Sequence, residues 1–574
     1  MDRSPATVTY KDLLLGKLSY SVICSVLSQL VLLQVYIFFT NTNIFHPQQW
    51  IRSTFAVFAS VSTWLYVIPF VSIIFAQSII CAKDYVLKQE YCSTRFQSFL
   101  SVLSIRNFVL LILNVVIGAT LVWLFSSLGG GHYQSLTRNC NKLHYCLNEG
   151  SFMLIISGIW SGLYYFTKIY VSKKHLSFPV IHQRKLLQFK AQLVPLLKES
   201  IISSFWPTFY FVIIYMFWGE SLADSFRNMF SLLKEKDCYI GIQAYFCMWI
   251  FAALYNFNMN LMQFFFNLFL TEPVEFPMQH VPNSLCLQEC LNVSEWPIIQ
   301  NLACYDLNNL ALNSKSRRQV FFTLSQPGGH PHNWNHLVEN VLKLFQEYTN
   351  QIDKSAVVTE NMPKAALQPQ NLFQHNYPAI KSAIKSPERY QNFRNMSLMY
   401  NTGLDEEITV EITRVPINWN LIQNLIDKIK QKVNSAISVI KILLGINFLF
   451  GELPQANIQT CLANGYVIIW ASQGISDIVC ASLVEDQYGI VQKDLPAIIN
   501  TLVQLKHALD KLNKIPALTR KMAGYNDFNF KMKNAVNYAV RRSLFNICKT
   551  FGKYLNDLPL SKDTVFYLQT LYRV

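Results

Sequence analysis

The sequence predicts an all-α protein in which a six-span helical membrane domain precedes a mainly α-helical soluble C-terminal domain. Of its 574 residues 51% are apolar and only 14% are charged, a composition typical of membrane proteins. The basic excess is largest in the first half, where residues 1–270 carry 20 lysines and arginines against 10 acidic residues. Charge-free apolar runs alternate there with short basic connections, which is the pattern of a polytopic membrane protein.

A transmembrane helix needs about 20 predominantly apolar residues. We predict six spans within a membrane domain of residues 1–271: 18–40, 55–81, 107–127, 150–171, 201–218 and 241–270. Lys168 is the only charged residue inside these segments, and it lies close enough to a helix end to reach the interface. Channels and transporters place ionisable groups at membrane depth, so neither class is favoured.

The connections predict the orientation of the spans. Loops on the N-terminal side of the membrane carry 13 basic residues, and loops on the other side carry 6. The positive-inside rule therefore places both termini and the soluble half in the cytosol. Cys140 and Cys146 then lie in a lumenal loop. That compartment is oxidising and permits a disulfide between them, but the sequence leaves two free thiols open as well.

The soluble half divides into a helical segment at 272–352, a proline-containing linker at 353–416 and a helical C-terminal domain at 417–574. An apolar stripe at three- and four-residue steps opens the last of these: Ile422, Leu425, Ile426, Ile429, Val433, Ile437 and Ile440. Core packing is the favoured interpretation of this stripe. Binding to a membrane surface or to a partner helix remains open.

One short segment concentrates turn-forming residues and histidines: Pro327, Gly328, Gly329, His330, Pro331, His332, Asn333 and Trp334. His330, His332 and His336 have metal-like spacing, but no carboxylate lies between Asp306 and Glu339 to assist them. We interpret the segment as a structural turn, with a partner-binding loop as the alternative and Asn333 expected to cap the following helix.

The sequence predicts no catalytic, cofactor or metal site. Cys286 and Cys290 have the spacing of half a zinc site, but no second Cys/His pair with suitable spacing follows them. Neither a nucleotide-binding glycine fingerprint nor a G-x-S-x-G elbow is convincing. The alternative that the residues leave open is a polytopic endoplasmic reticulum enzyme that acts on lipid through its cytosolic histidines.

Two long segments resemble the transmembrane nucleoporins of the nuclear-division-cycle (Ndc) family. They are RRQVFFTLSQPGGHPHNW at 317–334 and SDIVCASLVEDQYGIVQKDLPAIINTLVQL at 476–505, and FHPQQW at 45–50 and LSFPVIHQRK at 176–185 follow the same family order. The resemblance covers nearly the whole chain. One departure is the linker at 353–416, which is shorter and less rich in Ser and Pro than in vertebrate relatives.

The resemblance implies an integral membrane nucleoporin at the pore membrane of the nuclear envelope. Such a protein anchors the nuclear pore complex, takes part in pore assembly and thereby serves protein and mRNA transport. The implied partners are the lipid bilayer, a small membrane-binding inner-ring nucleoporin and the WD-repeat nucleoporin ALADIN. The family supplies no catalytic residues, and we expect no cofactor, small-molecule substrate or direct nucleic-acid contact.

Overall fold

A computed structural model describes residues 5–42, 45–86, 94–129, 133–141, 144–172, 178, 183–233, 241–278, 285–324, 329–360, 454–513, 528–555 and 557–573. In these residues the first half forms eight α-helices: α1 Pro5–Thr40, α2 Pro47–Ala59, α3 Val61–Val86, α4 Arg95–Val102, α5 Ile105–Gly129, α6 Glu149–Ser172, α7 Lys185–Phe230 and α8 Ile242–Leu270. The second half forms nine: α9 Leu287–Leu291, α10 Pro297–Asn313, α11 Lys315–Gln319, α12 His332–Glu360, α13 Pro454–Ala463, α14 Gly465–Glu485, α15 Leu495–Asn513, α16 Phe528–Phe551 and α17 Lys562–Arg573. Within the described residues the fold is all-α apart from the hairpin of β1 Thr137–Asn141 and β2 His144–Leu147.

Six helices within the described residues are long and apolar enough to cross a membrane. They are Tyr10–Thr40, Val61–Lys83, Ile105–Gly129, Glu149–Ile169, Lys185–Phe230 and Gly465–Glu485. The first five overlap the first five predicted spans, although the bounds of the second and fifth differ. The sixth predicted span, 241–270, forms the 29-residue helix α8, which carries no charged residue and is not among these six helices.

The second predicted span, 55–81, is drawn across a helix break. Helix α2 ends at Ala59 and α3 begins at Val61, because Ser60 has an extended backbone with φ −68° and ψ 137°. The Ser60 hydroxyl accepts a hydrogen bond from the Thr63 N–H at 3.3 Å and so caps α3. The second apolar helix therefore begins at Val61 and not at residue 55.

The fifth predicted span, 201–218, is the middle of a much longer helix. Helix α7 has 46 residues, which at 1.5 Å per residue is about 69 Å. That length exceeds the roughly 30 Å hydrocarbon core. Pro195 and Pro207 lie inside α7 without ending it, as packed membrane helices allow.

A polar cluster joins three helices inside the membrane bundle. The Asn114 side-chain oxygen on α5 accepts hydrogen bonds from the amide of Gln77 on α3, at 3.0 Å, and from the hydroxyl of Tyr255 on α8, at 2.9 Å. All three side chains are buried. Such bonds hold helices together where the hydrophobic effect cannot, because the lipid is itself apolar.

The hairpin lies in the loop predicted to be lumenal and pairs with the segment after α7. The Leu147 N–H donates to the Leu233 carbonyl at 3.3 Å, and the Leu233 N–H donates to the Tyr145 carbonyl at 3.1 Å. Two loops predicted to share a side of the membrane therefore meet. Cys146 is disulfide-bonded, whereas the Cys140 side chain lies outside the described residues, so the pairing of these two cysteines stays a prediction.

The soluble helices pack around α14, which contacts α10 and α16. One buried apolar cluster runs from the membrane helices into this bundle, and includes Ile74, Phe266, Leu287, Leu302 and Val540. Because α14 is buried among soluble helices, its apolar character reflects core packing.

Helix α12 continues to Glu360, eight residues past the predicted end of the helical segment at 352. The rest of the predicted linker and the whole 422–440 stripe fall in residues 361–453. These residues lie outside those that the structure describes.

Candidate functional site: the junction of membrane and soluble helices

The chain leaves the membrane bundle at a fixed point after α8. The Lys17 ammonium of α1 donates to the carbonyls of Phe269 and Glu272 at 3.3 and 2.9 Å. The Lys185 ammonium at the start of α7 lies 2.7 Å from the Glu272 carboxylate and 4.9 Å from the centre of the Phe269 ring. Two membrane helices, α1 and α7, therefore hold the end of α8 and the backbone that passes from it into the soluble half.

An ion pair then fixes the segment between α8 and α9 to the soluble bundle. Arg317 donates two hydrogen bonds to the Asp306 carboxylate, at 2.8 and 2.7 Å, and a third to the Phe276 carbonyl at 2.8 Å. The Phe276 N–H donates to the same carboxylate at 3.0 Å. The Asp306 side chain is 1% exposed, and its hydrogen bonds raise the pKa of Arg317.

A second ion pair joins the two long signature segments. Arg318 donates to both oxygens of Glu485, at 3.2 and 2.8 Å, and to the Ala311 carbonyl at 2.8 Å. The hydrogen bond with Glu485 raises the pKa of Arg318. Adjacent arginines thus bind different partners: Arg317 holds the segment that follows α8, and Arg318 holds the end of α14.

The signature turn contributes a buried indole to the junction. The Trp334 ring is fully buried, and its N–H donates to the Asp494 carboxylate at 3.0 Å. Asp494 immediately precedes α15 and belongs to the second signature segment. A contact across 160 residues therefore connects the two segments again.

The described part of the turn begins at Gly329, so Pro327 and Gly328 lie outside it. Helix α12 begins at His332, two residues before the expected start. Asn333 therefore sits inside the first turn, and its amide donates to the Val320 carbonyl at 3.4 Å. The expected cap by Asn333 is wrong, because this side chain tethers the preceding segment instead.

The candidate metal ligands do not converge in the described part of the chain. His330, His332 and His336 are exposed, and those residues contain no group of three or more ligand side chains that could hold a metal. Cys286 and Cys290 are buried free thiols, and burial raises the pKa of Cys290 to about 12.

The two shorter signature segments also make specific contacts. The Phe178 ring, from the connection between α6 and α7, meets the rings of Tyr466 and Trp470 edge-on, with centroids 5.5 and 4.9 Å away. The Trp50 N–H donates to the Phe38 carbonyl at 2.7 Å, and their rings lie 4.4 Å apart. Sequence reasoning matched both segments but did not identify these contacts, because aromatic spacing does not reveal a distant partner.

Comparison with known proteins identifies the family that shares these segments. The family model described as "Nucleoporin protein Ndc1-Nup" matches residues 12–569, almost the whole chain. The chain belongs to the Ndc1 nucleoporin family. Nucleoporin Ndc1 of Drosophila melanogaster is 26% identical over 100% of this chain and 99% of its own length. Nucleoporin NDC1 of Homo sapiens is 24% identical over 97% of each chain, and that of Mus musculus is 24% identical over 96% of each.

The resemblance seen in the sequence is thus confirmed. This Ndc1-family chain is a transmembrane nucleoporin and not an enzyme, since its relatives are named as components of the pore. Its relatives are nucleoporins, and it has helices long and apolar enough to cross a membrane, so it is a protein of the nuclear pore membrane. In this chain the junction contacts are structural: Lys17 and Lys185 hold the segment that leaves the membrane bundle, and the pairs of Arg317, Arg318 and Trp334 join segments of the soluble half.

Proposed function

We propose that this nucleoporin anchors the nuclear pore complex in the pore membrane and recruits soluble nucleoporins during pore assembly. The observation that carries the proposal is the continuous core from the spans to α16. Packed interiors transmit strain because they have low compressibility. A load applied to the soluble bundle by a bound nucleoporin would therefore reach the membrane helices through packed side chains and the Arg317–Asp306 pair.

We further propose that α8 is the sixth span and that both termini lie on the cytosolic, pore-facing side. The hydrogen bonds of Tyr255 within the bundle support the first point. The contacts of Lys17 and Lys185 with Glu272 support the second, because they bring three segments of the basic side together. The 13-to-6 distribution of loop charges points the same way.

The proposed partners are those that the family resemblance implies: a small membrane-binding inner-ring nucleoporin and an ALADIN-type WD-repeat nucleoporin. The 422–440 stripe remains our candidate for the docking or membrane-facing helix. Its apolar face, flanked by Lys428, Lys430 and Lys432, suits an amphipathic partner or an anionic surface. The competing proposal of a lipid-modifying enzyme is not favoured, because the relatives are nucleoporins and the histidines face solvent.

A depletion and rescue experiment tests anchoring and recruitment together. Cells that lack their own copy would receive the full-length chain or a chain with Ile429→Asp and Val433→Asp. The full-length chain should restore scaffold nucleoporins at the nuclear rim. The variant should reach the rim and remain folded, yet recruit clearly less of the inner-ring nucleoporin, because a buried charge weakens an apolar interface.

Two results would contradict the proposal. Failure of the full-length chain to restore scaffold nucleoporins would refute recruitment. For the docking helix, either loss of folding or normal recruitment by the variant would remove the stripe from the interface. Ser435→Asp serves as a matched charge control, because Ser435 lies outside the apolar stripe.

A further inference from the structure

Helix α2 separates the first two apolar helices and is too short to be a span. It has 13 residues and no buried side chain, whereas a span needs about 20 residues. Apolar segments of about 10–14 residues are typical of buried core helices or of interfacial segments. The lack of any buried residue excludes the core alternative and leaves the interface.

The residues of α2 divide into two faces. At about 100° per residue, its larger apolar side chains form one continuous arc: Trp50, Ile51, Phe55, Val57 and Phe58. Gln48, Gln49, Arg52 and Ser53 form the opposite arc. Arg52 is the only charged residue between Lys17 and Lys83. The helix is thus amphipathic, weakly basic and free of acidic groups.

Contacts with the spans hold α2 in place at both ends. At its first turn, the Trp50 N–H donates to the Phe38 carbonyl in the last turns of α1 at 2.7 Å. At its last turn, the Thr63 hydroxyl of α3 donates to the Val57 carbonyl at 2.6 Å. Ser60 turns the chain between α2 and α3. The helix therefore cannot merge with α3 or move away from the membrane ends of α1 and α3.

Only one flank of the apolar arc is covered by these spans. Trp50, Val57 and Phe58 are half-buried, whereas Ile51 and Phe55 are 51% and 69% exposed. The neighbouring helices also carry exposed apolar side chains close to α2 in the chain, at Phe39 of α1 and Val61 of α3. In a membrane the exposed apolar faces of α1 and α3 would contact lipid, and the uncovered flank of α2 would then adjoin that lipid surface.

We propose that α2 lies in one membrane leaflet, with Ile51 and Phe55 inserted among the acyl chains. The occupant of this flank is phospholipid, since it continues a lipid-facing surface and carries no acidic group to repel phosphate. By the proposed topology this is the lumenal leaflet, but the insertion itself does not depend on that assignment. The amphipathic helix would widen the membrane footprint of α1 and α3 beyond the bundle.

Site-specific photo-crosslinking in the full-length protein tests the insertion. Three proteins would each carry one p-benzoylphenylalanine, in place of Phe55, of Ile51 or of Gln49. Gln49 is the control, because it lies about 120° from Phe55 around the helix. Each protein would be reconstituted in phosphatidylcholine vesicles, irradiated and analysed by mass spectrometry. We expect several-fold more phospholipid adduct at positions 55 and 51 than at 49.

Other outcomes would overturn the proposal. Equal phospholipid adducts at all three positions would mean that the probe reports general proximity to the bilayer. Adducts to a second copy of the chain would show a protein interface on this flank. The absence of phospholipid adducts from both Phe55 and Ile51 probes, in proteins that elute as a single species, would place the flank in water.

Discussion

At the scale of single residues, the junction includes one carboxylate, that of Asp306, which is buried and paired. Asp306 accepts hydrogen bonds from Arg317 and from the Phe276 backbone, and its side chain is 1% exposed. An isolated charge at that depth would be costly, whereas a paired and hydrogen-bonded one is tolerated. The contribution of such a pair to the free energy of unfolding therefore appears when one partner is removed.

Arg317→Met should destabilise the full-length protein strongly, because it leaves the Asp306 carboxylate buried without its partner. Removing one partner of a buried pair costs about 3–5 kcal/mol, which for a soluble part of this size corresponds to a fall in apparent melting temperature on the order of 10 °C. Differential scanning fluorimetry in detergent measures it. Adding Asp306→Asn should recover part of the loss.

The control is Lys511→Met, which breaks the half-exposed pair with Asp353. Exposed pairs contribute about 0–1 kcal/mol, so this variant should melt close to the unmodified protein. If Arg317→Met and Lys511→Met melted alike, the Asp306 pair would not hold the junction together.

At the scale of elements, the sequence located the apolar helices but not all of their ends. Charge-free runs identified five of the six helices that are long and apolar enough to cross the membrane. The break at Ser60 escaped prediction because serine is common inside membrane helices and only its hydrogen bonds to its neighbours reveal the corner. The fifth predicted span was too short because Lys198 and Glu199 before it and Glu220 after it end the charge-free run, whereas helix α7 continues past them.

Helices α5 and α6 approach each other through glycines. A Cβ atom at Gly158 would lie 2.4 Å from the Gly118 carbonyl oxygen, and one at Gly118 would lie 2.1 Å from that of Gly158. Real Cβ atoms do not come so close to backbone atoms, so any larger residue would force the helices apart. Small residues at such crossings let membrane helices associate by close packing.

Gly158→Ala should therefore loosen the α5–α6 pair and destabilise the protein by about 1–3 kcal/mol, the usual cost of overpacking. Size-exclusion chromatography after heating in detergent measures the effect, and we expect the variant to lose its monodisperse peak at a lower temperature. Gly16→Ala on α1 is the matched control, because a Cβ atom there would meet nothing within 4 Å. Equal stability of the two variants would argue against close α5–α6 packing.

At the scale of the whole molecule, a continuous core connects a membrane bundle to a soluble bundle. The sequence predicted both bundles, because hydropathy and periodicity are local properties. It could not predict that Arg318 pairs with Glu485 or that Trp334 binds Asp494, since those contacts cross 167 and 160 residues. Resemblance to a family was carried by these segments, and in this structure they contain the contacts that join distant helices.

The contrast between local patterns and long-range contacts also explains which parts of the candidate site the sequence could predict. The histidines of the turn drew attention by their spacing, yet they are exposed, and the neighbouring Trp334 carries the structural role. A fully buried aromatic with one polar atom needs a partner for that atom. The need for a hydrogen-bond partner can be expected from the sequence, but the partner of the Trp334 N–H, Asp494, is seen only in the fold.

The measurement that tests the central claim most directly is the position of a C-terminally tagged, full-length copy after permeabilisation of the plasma membrane alone. An anchor at the pore membrane with a cytosolic soluble half predicts antibody-accessible puncta at the nuclear rim that coincide with scaffold nucleoporins. A uniform reticular signal without enrichment at pores would contradict the anchoring function. A rim signal that antibodies reach only after complete permeabilisation would contradict the proposed orientation.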